Sequence, residues 1–303
     1  MKLATFRRIV LLISVIVLGL PVTSPAAELV SAASAAPAGA PAPMPVPVQE
    51  ILTPSLTQAS IEEETAVPAG SAASQSSVRR HKKNKGLSLS QLLRKYPETL
   101  KTQGPRRKMI ALTFDDVPDP RFTPQLLDVL RKYKVKATFF VVGSRAEKHP
   151  ALVARMIREG HAIGNHSYNH PQFSKLSMNA FRIQIIRTEN ILQLLAGYKP
   201  KLIRPPYGDI NEPQLKWAKA HGYKLVNWNV DSLDWRGLSK NQVKHNILSR
   251  AGRGAIILQH GGGGRGSNLQ GTLQALPEII GSLRKRGYSF VTVPQMLQVS
   301  KSK

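Results

Sequence analysis

From Met109 onward the chain alternates short apolar runs with longer amphipathic ones. The runs Met109–Phe114, Ala137–Val142, His161–Gly164, Lys201–Ile203, Lys224–Asn229, Ala255–Leu258 and Ser289–Val293 are short and often β-branched, and they predict strands. The stretches between them predict helices. Thr123 caps the first, with Pro124 at its first position, and Leu126, Leu127 and Leu130 mark its buried stripe. Further helices are expected at 150–159, 178–196, 212–220, 240–250 and 272–286. Within 178–196, Phe181, Ile185, Leu192 and Leu195 recur at helical spacing. Gly160, Gly197, Gly222 and Gly287 fall where helices should stop, since glycine enters the left-handed C-terminal conformation freely. Seven β-α units imply an α/β fold with parallel strands and helical crossovers. So many units favour a closed or nearly closed barrel of about seven strands over an open sheet.

Upstream of this pattern the chain reads differently. Lys2, Arg7 and Arg8 precede an apolar run from Ile9 to Leu20, and small residues follow at Ser24, Pro25, Ala26 and Ala27. That layout predicts a secretory signal over residues 1–27, cleaved near Ala26 or Ala27. The apolar run is shorter than the roughly 20 residues that span a bilayer, so a membrane is a partner only if the segment stays uncleaved. Residues 28–78 hold 12 Ala, 8 Ser and 7 Pro, with no aromatic residue between Phe6 and Tyr96. Such a stretch cannot bury enough apolar surface to offset its ordering entropy, and disorder is expected over most of 28–106. A basic run, Arg79-Arg80-His81-Lys82-Lys83, lies within it. Leu89 to Tyr96 is expected to form a short helix packing on the domain, and the domain itself is placed at 107–300.

Composition narrows the chemistry. The 303 residues contain no cysteine, which excludes a disulfide scaffold, a thiol nucleophile and thiolate-ligated zinc. A metal would have to use histidine and carboxylate. The formal charge is +25, and residues 109–303 alone contribute +17. In an exported, extracytoplasmic protein the expected anionic partner is a cell envelope rather than nucleic acid.

The unusual polar residues cluster at one place in the pattern. Asp115 and Asp116 follow the first strand, His166 and His170 the third, Arg204 the fourth, Asp231 and Asp234 the fifth, and His260 the sixth. In an α/β barrel the carboxyl ends of the strands converge on one face, where active sites are built. His166 and His170, four apart, face the same way on a helical turn and can grip one metal. Asp116 is the natural third ligand, and a His-His-Asp set with an open position suits zinc or a similar divalent ion. Consecutive strand residues point in opposite directions, so Asp115 and Asp116 are expected to serve different partners.

Taken in order, Thr113-Phe114-Asp115-Asp116, His166-Ser167-Tyr168-Asn169-His170, Arg204-Pro205-Pro206-Tyr207-Gly208, Asp231-Ser232-Leu233-Asp234-Trp235 and Leu258-Gln259-His260 resemble the five motifs of the polysaccharide deacetylases, carbohydrate esterase family 4, also called the NodB homology domain. The resemblance covers about residues 107–298. It implies a distorted (β/α) barrel and removal of acetyl groups from N-acetylglucosamine-containing polymers, as in chitooligosaccharides or peptidoglycan; the export signal and the basic surface favour peptidoglycan. It also implies Asp115 as general base, with Arg204 keeping it ionised. Asp116, His166 and His170 are implied as metal ligands, and His260 as general acid oriented by Asp234. The backbone N–H of Tyr207 is implied as an oxyanion donor, and Trp235 and Leu258 as the pocket for the acetyl methyl. Asp231 receives no sharper role. A monomer is expected.

Val117 stands where the family usually has glycine after the two aspartates; if that position needs φ > 0, a β-branched residue would be strained. This departure and the basic surface motivate an alternative, a non-catalytic wall-glycan-binding protein retaining the barrel. Trp217 and Trp228 read as core residues, Ser167 as structural, and Gly261 to Gly264 as a flexible loop at the rim of the cleft.

Overall fold

A computed structural model describes residues 86–303. The expected signal at 1–27, the Ala/Pro/Ser-rich stretch and the basic run at 79–83 lie outside the described residues. Among those described, no helix is long and apolar enough to cross a membrane.

The framework is an α/β barrel of parallel strands. Its strands are β1 (Leu100–Lys101), β2 (Met109–Val117), β3 (Thr138–Val141), β4 (Ala162–Asn165), β5 (Leu202–Ile203), β6 (Lys224–Val226), β7 (Val230–Asp231), β8 (Ala255–His260) and β9 (Ser289–Phe290). They pair in the order β1-β6-β5-β4-β3-β2-β8-β7, with β9 joined to the start of β2. All strand pairs are parallel. The helices are α1 (Leu89–Lys95), α2 (Thr123–Lys132), α3 (Gly143–Lys148), α4 (Pro150–Arg158), α5 (Met178–Ala196), α6 (Glu212–Ala220), α7 (Lys240–Leu248), α8 (Gln270–Lys285) and α9 (Val293–Leu297).

The barrel is distorted at one seam. The expected strand Lys224–Asn229 stops at Val226 as β6, and β7 (Val230–Asp231), which was not expected, follows it with a different neighbour. Asn227 and Asn229 turn the chain between them. The Asn229 Oδ1 accepts from the Ile256 N–H at 2.9 Å, and the Asn227 Nδ2 donates to the Gly208 carbonyl at 3.0 Å. The Asn229 side chain thus takes the N–H of a β8 residue.

Burial follows the strand alternation. On β2, Ile110, Leu112 and Phe114 face α2 and α8 and join the largest core cluster with Leu126, Leu130, Leu276, Ile279 and Ile280. Each such side chain contributes roughly 1.5–3 kcal/mol when fully buried. The alternate residue Ala111 faces inward, where it meets Phe140, Leu202, Val226 and Ile256 from four other strands. Val293 and Met296 of α9 complete this inner cluster, and the Val293 N–H donates to Thr138 Oγ1 at 2.9 Å.

Several expectations need correction. Phe122, not Thr123, occupies the N-cap of α2; the Thr123 hydroxyl instead donates to the Gly261 carbonyl and accepts from the Asp119 N–H. The short helices α3 and α9 went unforeseen, because five or six residues show too little period to read. The boundary expected at residue 107 falls inside the folded unit. Leu100 and Lys101 form β1 and pair with Leu225 and Val226, while Leu92 of α1 is fully buried beside Leu100 and Leu225. The four glycines expected at helix ends all adopt positive φ, between 74° and 80°.

Candidate active site

At the carboxyl ends of the strands lies a cleft of about 710 Å³. Asp115, Asp116, His166, His170, Tyr207, Asp231, Trp235, Leu258 and His260 line it together. Arg204 and Asp234 stand behind this wall, both buried.

The two aspartates do not diverge as strand alternation predicted. Asp116 is left-handed (φ 62°), and the β2–β3 register shifts between Phe114 and Val117. The bulge returns the Asp116 carboxylate to the cleft that Asp115 already faces. Asp115 is deeply buried and its Oδ1 accepts from Arg204 Nη1 at 2.8 Å. Arg204 is fully enclosed. Its remaining hydrogen bonds go to Thr113 Oγ1, the Val226 carbonyl and the Asn227 carbonyl, and its guanidinium lies 4.1 Å from the Phe140 ring centroid. Burial pushes the Asp115 carboxyl above its ordinary value, against the downward pull of the Arg204 and His260 charges. Arg204 therefore favours the ionised carboxylate, but burial outweighs it.

His166 and His170 are not on a helix. They lie in the loop after β4, in which Ser167 (φ 66°) and His170 (φ 63°) are left-handed. The loop is tied down at each step. Asn165 Oδ1 accepts from the Ser167 N–H, Ser167 Oγ accepts from the His170 N–H, and Gln184 Oε1 of α5 accepts from the N–H groups of Tyr168 and Asn169. Ser167 is thus a structural residue with no exposed surface. The two rings meet edge to face, centroids 4.9 Å apart. His166 Nδ1 lies 2.7 Å from the Arg204 carbonyl, which can only accept, so the proton sits on Nδ1 and the Nε2 lone pair faces the cleft. Burial drives the His166 pKa down to about 3, keeping the ring neutral.

Donor atoms of Asp116, His166 and His170 all lie within 4.8 Å of one another, and His170 Nε2 is 3.4 Å from Asp116 Oδ1. Two imidazoles and one carboxylate, with the remaining side open to the cleft, fit a divalent ion such as zinc.

His260, the last residue of β8, stands across from this cluster. Its Nδ1 lies 2.7 Å from Asp234 Oδ1, while Asp234 Oδ2 accepts from the His260 N–H at 2.9 Å and from the Thr272 hydroxyl at 2.7 Å. Burial opposes a charged imidazole here, but the Asp234 carboxylate more than offsets it and pushes the His260 pKa up to about 9. Asp234 moves the other way, below its ordinary value, despite its burial. Tyr207 is left-handed (φ 60°) at the cleft edge, its ring against His170, and Trp235 is 59% exposed.

Some residues of the site were not foreseen. Trp228, expected in the core, lies between β6 and β7, half-buried, and lines the cleft. Trp217 stays with the apolar residues around Phe181 and Tyr223. Arg145 on α3 and Thr272 on α8 also reach the site, and neither belongs to any motif. The glycine loop does rim the cleft, but it is anchored: the Gly261 N–H donates to the Asp115 carbonyl, and the Gly263 carbonyl accepts from Arg121 and Arg145. Val117 has no positive φ. The left-handed residue is its neighbour Asp116, and the Val117 side chain is buried in the main core.

The polysaccharide deacetylase family model matches residues 102–226. The chain is 50% identical over 201 residues to a peptidoglycan-N-acetylglucosamine deacetylase of Bacillus cereus, covering 66% of this chain and 72% of that protein. It is 41% identical over 202 residues to the peptidoglycan-N-acetylmuramic acid deacetylase PdaC of Bacillus subtilis, where it spans 67% of this chain but 41% of the longer relative. A crystal structure of a peptidoglycan N-acetylglucosamine deacetylase superposes with a TM-score of 0.68 at 47% identity, covering 72% of this chain and all of that one. The chitin deacetylase of Colletotrichum lindemuthianum superposes at 0.61 with 28% identity, over 67% and 92% of the two chains. The chain therefore belongs to the polysaccharide deacetylases of carbohydrate esterase family 4, and is an enzyme of that hydrolase family.

Proposed function

We propose that the protein is an extracytoplasmic peptidoglycan N-deacetylase. It releases acetate from N-acetylglucosamine residues with the help of one divalent ion, zinc in this reading, held by Asp116, His166 and His170. The supporting observation is one cleft in which a three-donor cluster is flanked by an arginine-paired carboxylate and an aspartate-paired imidazole. The peptidoglycan substrates named for the relatives favour that polymer over chitooligosaccharides. Residues 1–27 serve as the export signal.

When bound, the ion polarises the acetamide carbonyl and lowers the pKa of water from ~15.7 toward about 7. Asp115 takes the proton of the attacking water. Its Oδ1 is committed to Arg204, while its Oδ2 lies 3.7 Å from His166 Nε2, on the side of the donor cluster. Its raised pKa brings it closer to working pH, as suits a general base. The Tyr207 peptide N–H donates to the developing oxyanion. His260 is cationic at neutral pH. With Nδ1 turned to Asp234, its Nε2–H is free to protonate the departing nitrogen. Trp235 and Leu258 enclose the acetyl methyl.

Acetate release from N-acetylated peptidoglycan and from chitooligosaccharides, after chelation and again with zinc restored, tests the reading. Zinc-dependent release, greatest on peptidoglycan, is expected. No acetate from any of these glycans with zinc present would overturn it.

A further inference from the structure

We infer that Arg145 is a positioning residue that sets the affinity of the Asp116–His166–His170 cluster for its metal ion, an inference that rests on the reading of that cluster given above. Arg145 is neither a ligand nor in contact with a reacting group. It lies on α3, six residues long, between β3 and α4.

The helix braces the cluster from two sides. On one side the N–H groups of Gly143 and Ser144 donate to the carbonyls of Ser167 and Tyr168, at 3.0 and 2.9 Å, inside the loop that presents both histidines. On the other side Arg145 Nη1 donates to the Asp116 carbonyl at 2.8 Å, and its Nη2 donates to the Gly263 carbonyl at 2.9 Å. Nη1 also lies 3.5 Å from the carboxylate of Asp119. One short element therefore fixes the distance between the carboxylate ligand and the two imidazole ligands.

This tie matters because Asp116 is held in an uncommon backbone conformation. A non-glycine residue at positive φ persists only where its surroundings over-determine it. Arg145 supplies the side-chain hydrogen bond to the Asp116 carbonyl. Gly262 makes room for the arrangement: a Cβ there would stand 2.1 Å from the Asp116 carbonyl oxygen and 2.7 Å from Arg145 Nη1. A planar, doubly donating group is also needed, since the two backbone acceptors are reached by different nitrogens of one fork.

The decisive measurement is zinc affinity of the full chain by competition with a chromophoric chelator, alongside thermal melting of the metal-free proteins. Arg145→Ala is expected to weaken zinc binding roughly 10- to 100-fold, the range seen when outer-sphere partners of a metal site are removed. Arg145→Lys, which keeps the charge but not the fork, should fall between. Arg121→Ala serves as the control. It severs the other cationic contact to Asp119 and Gly263 without touching Asp116, and should stay within about threefold of wild type. Unchanged zinc affinity in Arg145→Ala overturns the inference; if that variant does not fold, wild-type affinity in Arg145→Lys does so. An equal loss in Arg121→Ala also overturns it, assigning the effect to the rim. Absence of zinc binding by the wild type would instead overturn the metal reading itself, and this inference with it.

Discussion

Asp115 and His260 stand directly opposite one another in the β2–β8 ladder. Two neighbouring parallel strands thus deliver the carboxylate and the imidazole to the same height of the barrel. Each has its own buried counter-charge behind it, Arg204 for one and Asp234 for the other. Their separation is set by strand spacing rather than by a loop, so little ordering remains to be supplied when substrate arrives.

Asp115→Asn should therefore separate chemistry from architecture. Acetate release is expected to fall at least about 100-fold, the lower end for loss of a general base. Zinc binding should persist, because the donor cluster is intact. The amide leaves the buried Arg204 without its counter-charge, and unfolding in urea should show a loss of about 3 kcal/mol. Near-normal turnover would contradict the role proposed for Asp115.

The pH profile should be bell-shaped, with limbs set by the two buried groups. On the alkaline side the rate falls as His260 loses its proton, near its pKa of about 9. On the acid side it falls as Asp115 is protonated, above the ordinary carboxylate range because that pKa is raised. Asp234→Asn removes the main group favouring the imidazolium, and the alkaline limb should move to lower pH. The same shift has a stability consequence. A histidine with pKa about 9 when folded and 6.5 when unfolded stabilises the fold fully below pH 6.5, and the contribution disappears as pH rises through 9. Thermal melting against pH checks this sign, and the Asp234→Asn variant should lose most of the dependence.

Val117→Gly should not raise activity. The positive φ belongs to Asp116, and Val117 fills core space against Gly261, where an added Cβ would come within 2.5 Å of the valine Cγ1. Removing the side chain empties that space and loosens the strand, at about 3 kcal/mol from lost burial and added backbone freedom. A lower melting temperature with unchanged or reduced acetate release is expected. A sharp gain in rate would show that valine impairs the loop.

Seven of the nine strands were legible because each is apolar and bounded by turn residues, and the helices α4 to α8 because their stripes run long enough to show a period; the two-residue strands β1 and β7 are too short to show any pattern. What escaped reading was local backbone geometry. Nothing in the spacing of His166 and His170 distinguishes a helical turn from a loop with two left-handed residues. Alternation along β2 predicted divergent aspartates, and one positive φ at Asp116 reversed that outcome. Trp228 looked like a strand residue because Leu225, Val226 and Val230 lie close on either side of it, yet the asparagines that flank it directly break the ladder there. Arg145 and Thr272 lie far from the motifs in sequence and meet the site only through packing. No single-residue signal marks them.

The place of β1 bears on how this chain is handled. Its two residues cover the open flank of β6, through backbone hydrogen bonds from Leu225 to Thr99 and from Asn227 to Lys101. A recombinant protein trimmed to residue 107 would leave that flank as a bare template for intermolecular strand addition. It would also uncover the apolar surface now sheltered by Leu92 and Leu100. Such a truncate should self-associate in solution while keeping every residue of the cleft. A shortened version meant to stay dispersed has to begin upstream of Leu89.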